Sequence, residues 1–429
     1  MNVSALVADW LGRFLSGFAF LYPLFMSWLW MAGALFYWLR YERGQAGPEA
    51  PPRLRVPPRV AVLVPCFNEG DNVDETIGRL MDLDYPDYEV LAIDDGSRDG
   101  TALRLANLAR RHPKLRVVWL ARNQGKAVAL NTAALMTKAE ILVAIDGDAV
   151  LHPQALHWLV WHFRFPRVGA VTGNPRVRTR STLLGRIQVG EFSSTIGLIK
   201  RAQRTYGRLF TLSGVVAAFR RSALADVGFW SPDMLTEDVD VSWKLQTRHW
   251  DVRFEPRALC WILMPETLRG LWRQRLRWAT GGTQVLLKNL PQLATWRQRR
   301  MWPVFAECAL SIFWAFSMAT IVGLWLAGTV FGLPVPFRVE TLMPGWNGVM
   351  LGGTCLLQIA VGMMIDARYD RDLRRGYFWM VWYPLAYWLI SLGTTLLGVP
   401  RALGRRGGKR ARWISPDRGL RTDNEGSQA

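Results

Sequence analysis

The stretch LVAIDGDAVL, residues 142–151, carries an apolar run straight into two aspartates one residue apart, Asp146 and Asp148. An unbroken run of Leu, Val, Ala and Ile is how a strand reads when both its faces are covered, as in a parallel sheet packed under helices. Two carboxylates where such a strand stops put charge at the carboxyl edge of the sheet, where open α/β sheets collect their ligands. With the small Gly147 between them, they can hold a hard divalent cation of the kind that bridges carboxylates to substrate phosphates.

Three more runs of the same character precede it, at residues 60–64, 90–93 and 117–120, and the segments between, such as 71–81 and 101–111, carry helical spacing. The alternation predicts an α/β domain with a doubly wound, mainly parallel sheet. The turns after these runs are acidic too: PCFNEG supplies Glu69 after the first, and DDGSRDGT supplies Asp94 and Asp95 after the second. One acidic turn is ordinary strand-ending and helix-capping chemistry. Three on one sheet edge indicate a site. The chain lacks the glycine-rich phosphate loop of a P-loop enzyme or a Rossmann dehydrogenase.

Half of the 429 residues are hydrophobic and 22 are Trp, which leaves apolar material for a membrane beyond the needs of one domain. Residues 14–38, 302–331, 348–365 and 377–399 each approach or exceed the roughly 20 apolar residues that a helix needs to span a bilayer. The first lacks a basic n-region and a small-residue cleavage pattern and is too long for an h-region, so it reads as a retained anchor. The net charge of +19 comes largely from basic residues that flank apolar stretches, which points to lipid headgroups and a phosphorylated substrate and away from nucleic acid.

Arg40, Arg43, Arg53, Arg55 and Arg59 after the first span, and Arg297, Arg299 and Arg300 before the second, place the N-terminus outside and residues 40–300 in the cytoplasm. Arg368, Arg371, Arg374 and Arg375 agree. The stretch 377–399, broken by Pro384, is read as a crossing, although that leaves Arg401, Arg405, Arg406, Lys409, Arg410 and Arg412 outside, against the rule. A re-entrant or interfacial stretch is the alternative. The expected organisation is an anchor (1–40), a Pro-rich linker (41–58), a cytoplasmic α/β domain (59–266), amphipathic interfacial helices (267–300), a C-terminal transmembrane region (301–400) and a basic tail (401–429). Cys66, Cys260, Cys308 and Cys355 lie too far apart for a zinc or disulfide pattern, and His152, His157 and His162, five residues apart, would spread around a helix.

Two later stretches carry chemistry. In MLTEDVDVSW, Thr236 can cap a helix starting at Glu237, which puts Glu237 and Asp238 in its first turn. The helix dipole would weaken Asp238 as a base, so a catalytic role needs burial or nearby negative charge, which Asp146 and Asp148 could supply. In LRGLWRQRLRWATGG, Leu268, Leu271, Trp272, Leu276 and Ala279 share one side of a helix and Gln274, Arg277 and Trp278 project roughly opposite. The first side suits a membrane surface. The second offers a planar donor for a diphosphate and an aromatic face for a sugar ring.

DDGS at 94–97, DGD at 146–148, TED at 236–238 and QRLRW at 274–278, in that order and framed by membrane segments, resemble the processive family 2 glycosyltransferases of GT-A fold. More narrowly, VTGNPRVRTRSTLLGRIQVGEFSS, TLSGVVAAFRRSAL, EPRALCWILMPETLRGLW and RARWISPDRG resemble the poly-β-1,6-N-acetylglucosamine synthases of bacterial biofilms. Such relatives can carry an additional N-terminal membrane helix, whereas some 13 residues precede Phe14 here. The resemblance implies an inverting transferase in the bacterial inner membrane that polymerises UDP-N-acetylglucosamine and couples synthesis to export. It assigns Glu69, Asp94 and Asp95 to the uracil and ribose and Lys126, in NQGKA, to the nucleotide. Asp146 and Asp148 fall to the diphosphate and a divalent cation, Mg2+ with Mn2+ as the alternative, and Asp148 is the better ligand. Asp238 beside Glu237 becomes the base, and Gln274, Arg277 and Trp278 hold the diphosphate and the growing polysaccharide. A small membrane partner subunit and cyclic di-GMP are implied by the resemblance alone. The core motifs are shared with synthases of chitin, hyaluronan and cellulose, so the polymer stays open at this point.

Overall fold

The computed structural model describes residues 3–332, 339, 345–370, 373–405 and 410–411. Arg371, Arg406, Lys409 and residues 412–429, Arg412 among them, lie outside the described residues. The first element is α1 (Val3–Tyr37), extended by a π-helical turn over Trp38–Glu42. Eight strands among the described residues then form one sheet: β1 (Val60–Cys66), β2 (Tyr88–Asp94), β3 (Leu115–Trp119), β4 (Ile141–Ile145), β5 (Val150–Leu151), β6 (Val168–Val177), β7 (Val216–Arg220) and β8 (Asp251–Ile262). Their order is β3-β2-β1-β4-β7-β6-β8-β5.

The apolar runs behave as expected. Strands β3, β2, β1 and β4 are mutually parallel, and every residue of β1, β2 and β4 is buried. The connecting helices are α2 (Val73–Met81), α3 (Thr101–Arg111) and α4 (Lys126–Leu135). Beyond β4 the sheet becomes mixed. Strand β7 runs antiparallel to β4, with Val216 opposite Ile145, and β6 is antiparallel to β7 yet parallel to β8. All ten residues of β6, VGAVTGNPRV, are buried, and its polar members find partners inside. Asn174 Nδ2 donates to Pro256 O at 3.0 Å and Thr172 Oγ1 to Val216 O at 3.3 Å. The remaining helices of this half are α5 (Ala155–Trp161), α6 (Leu183–Glu191), α7 (Leu198–Tyr206), α8 (Arg221–Asp226), α9 (Glu237–Thr247) and α10 (Leu268–Leu293).

Then come α11 (Trp302–Phe331), α12 (Trp346–Asp366) and α13 (Tyr383–Gly404). Among the described residues three helices, α1, α11 and α12, are long and apolar enough to cross a bilayer. The expected fourth crossing is different: its two helical pieces, Gly376–Trp382 and Tyr387–Gly404, meet at 56°. Near its start the Tyr383 hydroxyl lies 3.2 Å from Thr195 Oγ1 and Tyr387 donates to Glu191. Past its end, Ala411 N donates to Pro232 O at 2.8 Å and Arg410 donates to Gln124. Both ends therefore sit against the sheet domain. A pair bent in this way is either one broken span or a re-entrant loop, and the second arrangement would keep the basic end of α13 on the side the charge rule requires.

The two halves are joined by buried charge. Arg201 of α7 meets Glu42 through Nε–Oε1 at 2.6 Å and Asp366, at the end of α12, through Nη2–Oδ1 at 2.9 Å. Arg176 of β6 closes on the other Asp366 oxygen at 2.6 Å. None of these four side chains is more than 1% exposed. Around them α1 and α7 touch through Gly33, where an added Cβ would lie 2.9 Å from Ala202 Cα.

Candidate active site

The acidic turns meet at the carboxyl edge of the parallel strands. Strand β1 leads into Asn68 and Glu69, and Asn68 takes a positive φ of 56°, the left-handed conformation that Asn tolerates best among residues with a Cβ. Its backbone N–H donates to Ser97 Oγ, and its Oδ1 accepts from Arg98 N, both at 2.9 Å. The turn after β1 is thereby pinned to the DDGS loop after β2. Glu69, 1% exposed, accepts from Asn72 Nδ2 at 3.3 Å. A Cβ on Gly147 would fall 3.1 Å from both Glu69 Cγ and Pro65 O, so DGD needs its glycine to bring the two acidic turns together.

Asp94 caps its own turn, accepting from Ser97 N at 3.1 Å. Asp95 is fully buried and its two oxygens each accept a backbone N–H at 2.8 Å, from Gln124 and Gly125. Burial holds its carboxyl above the usual range, against the pull of those donors. Asp95 thus shapes the NQGK loop and sets the start of α4, whose first residue is Lys126.

Lys126 is the hub. Its Nζ lies 2.5 Å from Asp146 Oδ1 and 3.2 Å from Glu237 Oε1, and it donates to Gly214 O at 3.1 Å. Burial would lower the affinity of this amine for its proton, but Asp146, Glu237 and Asp238 outweigh it and keep the ammonium charged. Next to it, Asp238 accepts from Gly214 N at 3.0 Å and from Val239 N at 2.9 Å. Its pKa is raised to about 6, first by burial and then by Glu237, while Lys126, the Val239 N–H and Arg277 act in the opposite direction. The compensation that the helix dipole demands comes from burial and Glu237; the charge of Asp146 is engaged by Lys126. Thr236 precedes α9 as expected but makes no side-chain cap bond. Its hydroxyl is turned against α10, where a Cβ on Gly281 would lie 2.5 Å from Thr236 Oγ1.

Asp146 and Asp148 provide hard oxygen donors suited to a divalent cation. Burial and these two carboxylates push the Cys260 thiol well above its usual range, which keeps soft thiolate chemistry away from them. Among the described residues no group of three or more His, Cys, Asp or Glu side chains is gathered as a metal cage. An ion held here would complete its coordination with substrate oxygens and water.

The QRLRW turn of α10 closes the site. Arg277 is exposed and its charge acts on Asp238. Gln274 is half-buried with a long contact of 3.9 Å to Met264 Sδ. Trp278 packs against the core of the sheet domain. The apolar side of α10 differs from the expectation of an open membrane-facing stripe. A Cβ on Gly393 would meet the Trp272 ring at 2.8 Å and one on Gly398 would meet Ala279 Cβ at 3.0 Å, so α13 covers that side, while Leu268 is 69% exposed. Three polar residues were not legible as parts of the site. Lys200 of α7 donates to Ser213 Oγ at 2.5 Å, with burial pushing its pKa down to about 7, and Glu191 and Arg275 form a buried pair at 2.8 Å. Their partners lie on other elements, and in α7, which also carries Arg201, Gln203 and Arg204, nothing in the helical spacing singled out the first.

Comparison with known proteins adds three findings. Residues 57–281 match the family described as glycosyltransferase like family 2. Poly-β-1,6-N-acetyl-D-glucosamine synthases are 36% identical to the chain: that of Staphylococcus aureus (strain MSSA476) over 404 residues and that of Staphylococcus epidermidis (strain ATCC 35984) over 405, in each case 94% of this chain and 98% of the relative. A solved structure of the mannosyltransferase of Pyrobaculum calidifontis, in complex with GDP-Man and Mn2+, superposes with a TM-score of 0.65 at 22% identity, covering 92% of this chain and 99% of that one. That likeness shows the shared GT-A-like fold.

Proposed function

The chain belongs to glycosyltransferase family 2, and from that premise we propose that it polymerises N-acetylglucosamine from UDP-N-acetylglucosamine into poly-β-1,6-N-acetyl-D-glucosamine at the bacterial inner membrane and passes the chain outward into a biofilm matrix. The observation that carries the reading is the pairing of a half-buried carboxylate, Asp238, raised to about 6 beside Glu237, with a cationic side, Lys126 and Arg277, at the acidic edge of the sheet. The names of the synthases that resemble the chain support the donor and the linkage.

In the proposed reaction Glu69 and Asp94 receive the uracil and ribose, and Asp95 supports them through the NQGK loop. Asp238, ionised at neutral pH yet more basic than an ordinary aspartate, takes the proton of the acceptor's primary hydroxyl. The freed oxygen attacks the anomeric carbon in line as the bond to UDP breaks, which converts an α donor into a β product. Lys126 and Arg277 offset the charge that develops on the departing diphosphate. A divalent cation held by Asp148 and Asp146, Mg2+ or Mn2+, would add its charge to the same end when bound. Trp278 offers its face to the terminal sugar of the chain, Gln274 sits one turn before it, and the helices α11 to α13 stand next along the path outward.

Full-length protein incubated with UDP-N-acetylglucosamine and Mg2+ tests the reading. The product should fall to a β-1,6-specific hexosaminidase and resist chitinase. A polymer cut by chitinase alone, or release of UDP with no polymer, overturns it.

A further inference from the structure

The indole of Trp278 is set by more than its own helix. One turn earlier Arg275 is buried, 8% exposed, with its guanidinium carbon 4.2 Å from the centroid of the Trp278 ring and 5.2 Å from that of Tyr387 on α13. Glu191, at the end of α6 and 1% exposed, fixes this cation: its Oε2 accepts from Arg275 Nη2 at 2.8 Å, while its Oε1 accepts the Tyr387 hydroxyl. Each carboxylate oxygen therefore has its own donor, one from the helix that carries Trp278 and one from α13. The Arg275 Nε–H is buried with no hydrogen-bond partner among the described residues. Two aromatic faces take up positive charge that hydrogen bonds leave unanswered. Tyr387 in turn stacks on Tyr383, with centroids 4.5 Å apart and planes 16° apart, and Tyr383 reaches Thr195.

We propose that Arg275, clamped between Glu191 and Tyr387, is the positioning residue that sets the plane of the Trp278 indole and ties the acceptor platform to α13. The inference rests on the reading of Trp278 as that platform. A lysine at 275 keeps the charge and loses the plane that stacks on the indole; a glutamine at 191 keeps the shape and loses the anchoring charge. The partners of Arg275 and Glu191 are each other, Trp278 and Tyr387, so the clamp acts on the acceptor and leaves the UDP pocket alone. Movement of α13, which lies along α10, reaches Trp278 through Tyr387.

The test uses the full chain in lipid nanodiscs. In Arg275→Lys and Glu191→Gln, the KM for a short β-1,6-linked N-acetylglucosamine oligosaccharide should rise about tenfold while UDP affinity, read by calorimetry, stays within about twofold. In a Trp278→Ala background, Arg275→Lys should add less than about a twofold further loss, because both changes remove one arrangement. A second measurement stands apart from turnover. With 5-fluorotryptophan incorporated, the fluorine resonance that disappears in Trp278→Phe should shift in Arg275→Lys and in Glu191→Gln. An unmoved resonance, an unchanged acceptor KM, or an equal fall in UDP affinity defeats the proposal. A parent chain that polymerises nothing from UDP-N-acetylglucosamine defeats the functional reading instead, and the fluorine resonance then decides the placement of Trp278 by itself.

Discussion

The backbone N–H of Gly214 donates to Asp238 Oδ2 at 3.0 Å, and a side chain at 214 would crowd both partners of the pair: its Cβ would stand 3.0 Å from that oxygen and 3.3 Å from Lys126 Nζ. Gly214→Ala should therefore displace the base relative to the acceptor. A misplacement of about 1 Å can cost about a hundredfold in rate, and the crowding here asks for only part of that movement, so kcat should fall by about threefold to tenfold with the fold intact by circular dichroism. A Gly214→Ala enzyme with normal kcat would show that the Gly214 contact does not set the position of Asp238.

Asp238→Asn removes the proton acceptor while keeping the side chain's shape. Polymer synthesis should be lost, by about a thousandfold or more, with UDP affinity held within a few fold. Synthesis at anything near the parental rate refutes the assignment.

The pH profile follows from the same carboxylate. Its pKa in the fold is raised to about 6, and only the ionised form can take a proton, so kcat/KM should be level above that value and fall about tenfold per pH unit below it. Burial is the leading cause of the shift, and Glu237 the next. Glu237→Gln should move the acid limb to lower pH, and a limb that stays or moves upward in that variant contradicts this account.

Asp148→Asn should weaken UDP binding in Mg2+ by about tenfold or more and leave the affinity measured in chelator unchanged. Equal affinities for parent and variant in Mg2+ would remove Asp148 from the metal site.

The contact of Ala411 with Pro232 places the end of α13 on the side of the sheet domain. In a background without reactive cysteines, Gly47→Cys and Ala411→Cys should both resist a membrane-impermeant maleimide in intact cells and label after permeabilisation. Labelling of Ala411→Cys without permeabilisation would show that the bent pair makes a fourth crossing.

Acids that end apolar strands were legible, because a covered strand reads as an unbroken apolar run and the residue after it has a known place. Glu69, Asp94, Asp146 and Asp148 follow from that rule alone. Strand β6 was not legible: its Thr172, Asn174 and Arg176 look like loop chemistry until the partners that bury them are seen. Arg275 was hidden for a related reason. A helical wheel assigns a charged residue to water, whereas this one finds its counter-ion on Glu191, 84 residues earlier in the chain. Even the open side of α10 was a fair reading of periodicity; only the later α13 reveals what covers it.

The ion pairs that join Arg201 and Arg176 to Glu42 and Asp366 bear on how the protein can be handled. Residues 57–281 look like a unit to be cloned by itself, but that excision removes both acids together with α1 and α12, the helices that cover the α7 face carrying Arg201. The cut exposes Leu198 and Ala202 on that face beside guanidiniums that have lost their partners, a surface built to be covered. A water-soluble fragment would need the apolar residues of that face, Leu198 first, replaced by polar ones. A chimera between two such enzymes would have to take the anchor and the sheet from the same parent.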